Sequence, residues 1–187
     1  MKNVKDILKN AEDRMKKAVE VVREELVRIR TGKATTALLD SVKVDYYGSL
    51  VPLKQVANVG TPDVHTITVQ PWEKGMIGSV EKAILNANLG LNPANDGSLV
   101  RVPIPPLNEE RRRELVKLVK KFGEEGKIAI RNVRRDAIEH LKKAEKDEHL
   151  SEDERKRGEL EAQKLTDKYT KDIDSHLTTK EKEIMEV

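Results

Sequence analysis

The chain has 187 residues, of which 37% are charged, 37% hydrophobic and only 3% aromatic, and its formal net charge is +3. The absence of cysteine excludes disulfides and thiolate chemistry, so a reducing compartment, the cytoplasm, is expected. No apolar run of about 18 residues occurs and the start of the chain shows no signal core, so no membrane-spanning segment is predicted. This composition is typical of long exposed helices.

Residues 2 to 30 predict one long amphipathic helix. Apolar residues recur at steps of three and four from Val4 to Ile29 and form a single stripe, with charged residues on the other faces. The sequence Thr31-Gly32, which can end a helix, follows the stripe.

Residues 33 to 104 have the pattern of a small α+β module. All seven prolines lie between Gly32 and Pro106. Alternating apolar residues predict strands, Gly48-Ser49 predicts a hairpin turn, and steps of three and four predict a short helix. The predicted elements are a strand at 42–46, a strand at 66–70, a helix at 76–87 and a strand at 100–104.

Two further long helices are predicted after the module. Pro105-Pro106 stops the preceding strand, Asn108 can cap a helix, and the helical pattern then continues to about Asp147. A capping box beginning at Ser151 opens the last helix.

This order of elements predicts an α+β fold, a long antiparallel three-helix bundle that carries a small inserted β/α/β module. The bundle comprises residues 1–31 and 105–187, and the module comprises residues 32–104. Three amphipathic helices can bury their apolar stripes against one another. The two connections, one containing glycine and one rich in proline, are expected to form a restricted hinge of five residues: Thr31, Gly32, Pro103, Pro105 and Pro106.

Positive charge is concentrated in the first of the two C-terminal helices. From Arg111 to Lys146, thirteen Lys and Arg residues accompany six Asp and Glu residues, a net charge of +7, so the rest of the chain carries −4. Such an excess indicates an anionic partner, usually nucleic acid. The tally alone fits a solvated helix face equally well.

On a helical wheel, seven further basic residues of this helix lie within about 60° of Arg131. Leu115, Phe122, Ala129 and Val133 cluster on the opposite side, which predicts an apolar seam and a basic face placed back to back. We term this face the basic stripe, and its members are Arg113, Lys117, Lys120, Lys127, Arg131, Arg134, Arg135 and Lys142.

The densest part of the basic stripe contains Arg131, Arg134 and Arg135. These arginines could pair with acids of a neighbouring helix, but exposed pairs contribute only roughly 0 to 1 kcal/mol. Arginine is better suited to bidentate contact with phosphate. Because aromatic residues are scarce, structured RNA read through its backbone and shape is favoured over base stacking.

No catalytic residue, metal site or cofactor is predicted. Gly32-Lys33 resembles the end of a phosphate-binding loop, but Val27 and Ala34 replace the required glycine and hydroxyl residue. The four histidines, including His149, lack metal-ligand spacing. We expect His140 to pack on the apolar side of its helix and Trp72 to cap the core of the module.

Several blocks of the sequence, in this order and spacing, resemble the ribosome recycling factor family along essentially the whole chain. The blocks are Ile29-Arg30-Thr31-Gly32-Lys33-Ala34, Tyr46-Tyr47-Gly48, Leu89-Gly90-Leu91-Asn92-Pro93, Arg101-Val102-Pro103-Ile104-Pro105-Pro106-Leu107, Glu109-Glu110-Arg111-Arg112, Arg131-Asn132-Val133-Arg134-Arg135-Asp136-Ala137 and Gln163-Lys164-Leu165-Thr166-Asp167.

The resemblance implies a monomeric, L-shaped protein with the outline of transfer RNA. Such a protein binds between the ribosomal subunits after peptide release, with its rod against large-subunit ribosomal RNA. Elongation factor G then acts on the module, and GTP hydrolysis by that factor drives the subunits apart and releases the messenger RNA.

The resemblance also implies RNA contacts at Arg30, Lys33, Arg131 and Arg134, to which the basic stripe adds Lys127 and Arg135. Lys33 stands where the family commonly has arginine, so it keeps the charge but lacks the bidentate fork.

Two other classes of protein remain open at this point. A coiled-coil adaptor or chaperone would bind protein partners, and its basic stripe would be incidental. A nucleotide-dependent enzyme acting on RNA would hydrolyse ATP or GTP by itself, although the failed loop motif weighs against that class.

Overall fold

The computed structural model describes residues 3–147 and 150–186, and the chain divides into two compact units. The bundle unit combines the chain up to Arg30 with the chain from Glu109 onward, and the module is Thr31–Asn108. The divisions fall after residues 30 and 108, whereas we predicted them after residues 31 and 104.

The later division has a local cause in the packing of the loop that precedes the third helix. That helix begins only at Glu109. Leu107 is half-buried and lies against Gly32 at the start of the module, where a Cβ added to Gly32 would lie 3.1 Å from Leu107 Cγ. Gly32 also has a left-handed backbone with φ of 76°, which favours glycine at this position.

Four helices and six strands account for most of the described residues. In chain order they are α1 (Val4–Arg28), β1 (Lys43–Tyr46), β2 (Ser49–Pro52), β3 (Ala57–Asp63), β4 (Thr66–Pro71), α2 (Ile77–Asn86), β5 (Ala94–Asn95), β6 (Val100–Pro103), α3 (Glu109–Asp147) and α4 (Glu152–Met185). None of the helices in the described ranges has the length and apolarity needed to cross a bilayer.

The bundle unit is built from α1, α3 and α4, and each helix packs against the other two. Arg14 of α1 forms an ion pair of 2.7 Å with Asp136, and Val22 lies beside Gly126. The earlier residue of α1 contacts the later residue of α3, so the two helices run antiparallel. At a rise of about 1.5 Å per residue, α3 is about 58 Å long.

Helices α3 and α4 are also antiparallel and approach each other closely at glycines. Gly123 lies against Leu177, and a Cβ added to Gly158 would lie 2.9 Å from Leu141 Cδ2. The predicted capping box is confirmed at the start of α4, where the Ser151 hydroxyl accepts from the Glu154 amide and the Glu154 carboxylate accepts from the Ser151 amide.

The module contains a two-stranded hairpin, β1 and β2, and a four-stranded antiparallel sheet in the order β3-β4-β6-β5. Alternating residues of β4 and β6, such as Ile67 and Val102, are fully buried and form the core with the inner face of α2. The predicted strands and helix are confirmed, whereas β3 and β5 lack the apolar alternation that would have revealed them.

The prediction for Trp72 is wrong. Its side chain is 69% exposed, and it caps no core. Strand β4 alternates inward and outward and ends on the buried residue Pro71, so the next residue points outward.

Candidate nucleic-acid interface

The buried face of α3 differs in direction from the predicted seam. Its centre lies about 120° around the helix from Arg131, whereas the sequence predicted the opposite side, about 180° away. Phe122 and Ala129, assigned to the seam, are only partly buried, and His140 is exposed. The residues that form the buried face are Leu115, Val119, Gly123, Gly126, Ile130, Val133, Ala137, Leu141 and Ala144.

The back-to-back arrangement is therefore wrong by about 60°, and the expected packing of His140 fails for the same reason. Gly123 and Gly126 belong to the buried face because neighbouring helices press against their backbones. A hydrophobicity wheel gives no weight to such glycines. The rotation brings one edge of the basic stripe next to α4.

Two cations lie at this edge. Lys127 is only 26% exposed, and its Nζ is 2.5 Å from Asp174 Oδ1 of α4. Arg134 donates from one terminal nitrogen to Gln163 Oε1 of α4 at 2.7 Å. The Arg134 Nε is buried and has no hydrogen-bond partner among the described residues. Both side chains are thus held by α4 and cannot move freely.

The other two arginines of the dense part face solvent more openly. Arg131 is 49% exposed and pairs with Glu124 of its own helix. Arg135 is exposed and makes neither a hydrogen bond nor an ion pair with any residue that the structure describes. Within the described ranges, no acid of a neighbouring helix forms an ion pair with an arginine of this cluster.

Along the whole basic stripe, three cations have carboxylate partners within residues 3–147 and 150–186: Arg113, Lys127 and Arg131. The five others have no such partner in the same ranges, and they are Lys117, Lys120, Arg134, Arg135 and Lys142. An excess of unpaired positive charge on one helix is the electrostatic feature that attracts nucleic-acid phosphates.

Gln163 is a site residue that reasoning from the sequence missed. Its amide nitrogen donates to Asp167 Oδ1 at 2.7 Å, which directs the amide oxygen toward Arg134. The four-residue spacing of Gln163 and Asp167 indicates a contact along one helix. Only the packing of α4 on α3 shows that this pair positions Arg134.

The two remaining predicted RNA contacts lie in different units. Arg30 is exposed just after α1 and belongs to the bundle unit, whereas Lys33 is half-buried in the first loop of the module. The loop is fixed by the next residue, since the Ala34 amide donates to the Val64 carbonyl at 2.7 Å.

The structure places all five predicted hinge residues at the ends of the module's chain. Thr31 and Gly32 are half-buried at its start, Pro103 ends β6, and Pro105 and Pro106 are exposed in the loop after it.

Metal ligands are not grouped in the part of the chain that the structure describes. No cluster of three or more His, Asp or Glu side chains there could hold an ion. The predicted absence of metal spacing also concerned His149, which lies outside the described residues.

The family model and the similar proteins of known sequence all carry the name ribosome recycling factor. A model of the family described as ribosome recycling factor matches residues 22–185. A protein of Chlorobaculum parvum named ribosome-recycling factor is 58% identical over 184 residues, which cover 98% of this chain and 99% of that protein. A protein of Ralstonia pickettii with the same name is 57% identical over 185 residues, or 99% and 100% of the two chains.

Solved structures are similar over the full length. A solution structure of ribosome recycling factor shares 48% identity, covers 100% of both chains and superposes with a TM-score of 0.78. A second, with 46% identity, 98% and 100% coverage and a TM-score of 0.63, is described as the T. thermophilus factor with E. coli elongation factor G on the E. coli post-termination complex.

Proposed function

The chain belongs to the ribosome recycling factor family, and on that premise we propose that it binds the post-termination ribosome in the cytoplasm. With elongation factor G and GTP it promotes dissociation of the subunits and release of the messenger RNA. In this proposal the chain performs no catalysis of its own, and the elongation factor supplies the hydrolysis of GTP.

The basic stripe is the observation that carries the proposal. Five cations without carboxylate partners in the described ranges lie on one helix about 58 Å long. A straight array of this kind suits the phosphates of folded RNA, which are fixed in space. In this proposal Lys127, Arg131, Arg134 and Arg135 contact large-subunit ribosomal RNA, together with Arg30 and Lys33.

The mechanism needs the module to move while the bundle stays bound. The chain crosses between the two units only near Arg30 and Asn108. We assign the hinge to Thr31, Gly32, Pro103, Pro105 and Pro106, where proline restricts the backbone and Gly32 permits a conformation closed to other residues. A push on the module is then transmitted to the RNA contacts of the bundle.

Light scattering of post-termination ribosomes tests this function directly. Addition of the chain with a matched elongation factor G and GTP should produce subunits, whereas omission of any one component should not. The isolated chain should show no GTP turnover above buffer. Intact ribosomes in the complete mixture, or failure of the chain to co-sediment with ribosomes, would favour the protein-binding adaptor.

The hydrogen bond that Arg134 donates to Gln163 predicts a smaller effect on ribosome binding. Gln163→Leu should weaken binding to vacant ribosomes severalfold, because Arg134 keeps its charge but loses the acceptor that orients it. The salt dependence of binding should stay unchanged, since no phosphate contact is removed. Asp167→Asn keeps an oxygen acceptor for the Gln163 amide nitrogen and should bind almost as the wild type does. Equal losses in both variants would contradict a positioning role.

A further inference from the structure

A cleft of about 540 Å³ lies on the module between strand β1 and helix α2. Its size falls within the range of about 300 to 1,000 Å³ that small-molecule sites usually have. Strand β1 contributes Lys43 and Asp45 to one wall of the cleft. Their side chains share the exposed face of the strand, because Val44 between them is fully buried.

Helix α2 supplies the other wall with three polar side chains on one of its faces. Ser79, Lys82 and Asn86 are spaced at steps of three and four, which places them in a column along the helix. The column is about 10 Å long at a rise of about 1.5 Å per residue. Ala83 and Ala87 also line the cleft, and their short side chains leave space for a ligand.

Most polar side chains of the cleft have no partner in the protein. Those that make neither a hydrogen bond nor an ion pair within the ranges that the structure describes are Ser41, Lys43, Ser79, Lys82 and Asn86. Elsewhere in the module, by contrast, Lys54 Nζ lies 2.6 Å from Asp40 Oδ1. Arg101 Nε likewise lies 3.6 Å from Asp96 Oδ2. Polar groups that converge on one cavity without protein partners are available to bind a ligand.

The charges of the cleft favour an anionic ligand. Two ammonium groups, of Lys43 and Lys82, accompany a single carboxylate, that of Asp45. The module as a whole has no such excess, since residues 31–108 contain six Lys and Arg and six Asp and Glu. Ammonium groups beside hydroxyl and amide donors are suited to a phosphate group. Asp45 Oδ1 accepts from the Gly48 amide at 2.8 Å, and its other oxygen can accept from a hydroxyl group of the same ligand.

We propose that this cleft binds a small phosphate ester that carries hydroxyl groups, the chemistry shared by sugar phosphates and nucleotides. Lys43 and Lys82 bind the phosphate group from the two walls. The Ser79 hydroxyl and the Asn86 amide donate to it, and Asp45 accepts from a hydroxyl of the sugar. The site belongs to the module alone, so this proposal goes beyond the proposed function and does not depend on it.

A small ligand suits the cleft better than RNA does. The basic stripe presents cations along the length of α3, as a chain of phosphates requires, whereas the cleft holds two lysines around one cavity. The Asp45 carboxylate would repel the next phosphate of an RNA strand. None of the residues that line the cleft is aromatic, so bases have no ring on which to stack.

Titration of the isotope-labelled full chain with ribose 5-phosphate, followed by NMR, tests the proposal. We expect saturable shifts of the backbone amides at residues 41–45 and 79–87, whereas phosphate that binds the basic stripe would shift amides of α3 instead. Inorganic phosphate should bind the cleft roughly tenfold more weakly, because it has no sugar hydroxyl to donate to Asp45. The absence of saturable shifts in the module, or equal affinity for inorganic phosphate, would overturn the proposal.

A parallel titration with adenosine monophosphate distinguishes the two sources of the ester. Tighter binding than that of ribose 5-phosphate identifies a nucleotide, and equal or weaker binding identifies a sugar phosphate. A short RNA oligonucleotide is the third probe. If it shifts the same amides at lower concentration than either ester does, the cleft binds RNA and the proposal fails.

Substitutions of the two lysines give an independent test with ribose 5-phosphate. Lys43→Gln and Lys82→Gln should each weaken binding roughly tenfold, because each removes a charge-assisted hydrogen bond to phosphate. Lys74→Gln is a matched control, since Lys74 is an exposed lysine of the module that lies outside the cleft and forms no ion pair in the described ranges.

These three lysines are exposed, so the variants should fold as the wild type does, and the dispersion of the same NMR spectra verifies this. Equal affinity of all three variants for ribose 5-phosphate would overturn the proposal. The measurements contain no ribosomes, so their failure would leave the proposed function standing.

Discussion

Replacement of both Arg131 and Arg134 by alanine should weaken binding to vacant ribosomes by roughly 100-fold or more at low salt. Each arginine is expected to make a charge-assisted hydrogen bond to phosphate, and such bonds contribute about 1.5 to 3 kcal/mol. Arg134 is held in place by Gln163, and Arg131 pairs only with an exposed carboxylate that a phosphate can displace. These side chains therefore lose little conformational entropy when the RNA binds.

The salt dependence distinguishes lost phosphate contacts from a general disturbance. Each phosphate contact contributes roughly 0.7 to 0.9 to the slope of log affinity against log salt, so the double variant should lose about 1.4 to 1.8 from that slope. Arg23→Ala is a matched control, because Arg23 is also half-exposed and pairs with a glutamate of its own helix, Glu20. A double variant with the slope and affinity of the control would reject the basic stripe as the RNA contact.

Leu141→Ala should cause the largest loss of stability, about 3 kcal/mol in the free energy of unfolding. Leu141 of α3 is fully buried against α4. Replacement of a buried leucine by alanine leaves a cavity and costs roughly 2 to 5 kcal/mol in comparable cores. Urea denaturation followed by circular dichroism measures the change. A loss below about 1 kcal/mol would mean that the helices collapse into the cavity.

Gly158 permits a double-mutant cycle at the same place. Its added Cβ would lie 2.9 Å from Leu141 Cδ2 and 3.2 Å from Val4 Cγ1. Gly158→Ala alone should lower stability by about 1 kcal/mol, because overpacking exceeds the gain in helix propensity. In the double variant with Leu141→Ala, the methyl group added at position 158 enters the space that the leucine side chain has left. The loss of stability in the double variant should therefore be smaller than the sum of the two single losses by about 1 kcal/mol. Strict additivity would show that the two residues do not share this contact.

The sequence alone determined which elements form and in what order. The apolar periodicity of α1, α3 and α4, the alternation around Val44, Val69 and Val102 and the capping box at Ser151 are local signals. They report how the chain prefers to fold over a few turns, and for that reason they survive in the structure. The weakly patterned strands β3 and β5 were missed because their pairing, rather than their composition, makes them strands.

The family could likewise be inferred from ordered blocks of sequence, and so could the concentration of positive charge in α3. Those are properties of the residues in their linear order. Phosphate contact by Arg131, Arg134 and Arg135 could be predicted from the sequence, because three arginines at this spacing lie on one side of a helix.

Only the tertiary structure decided which way that face points. Helices α1 and α4 press on α3 at Gly123 and Gly126, positions that a hydrophobicity pattern ignores, and they turn the buried face by about 60° from the predicted seam. This rotation exposes His140 and brings Arg134 to Gln163, a residue 29 positions away along the chain. The hydrogen bonds of Tyr46 and Tyr47 to Glu73 depend on tertiary structure in the same way, since they join residues at least 26 positions apart in the chain. Contacts between distant segments depend on how whole faces fit together, and no local preference encodes that fit.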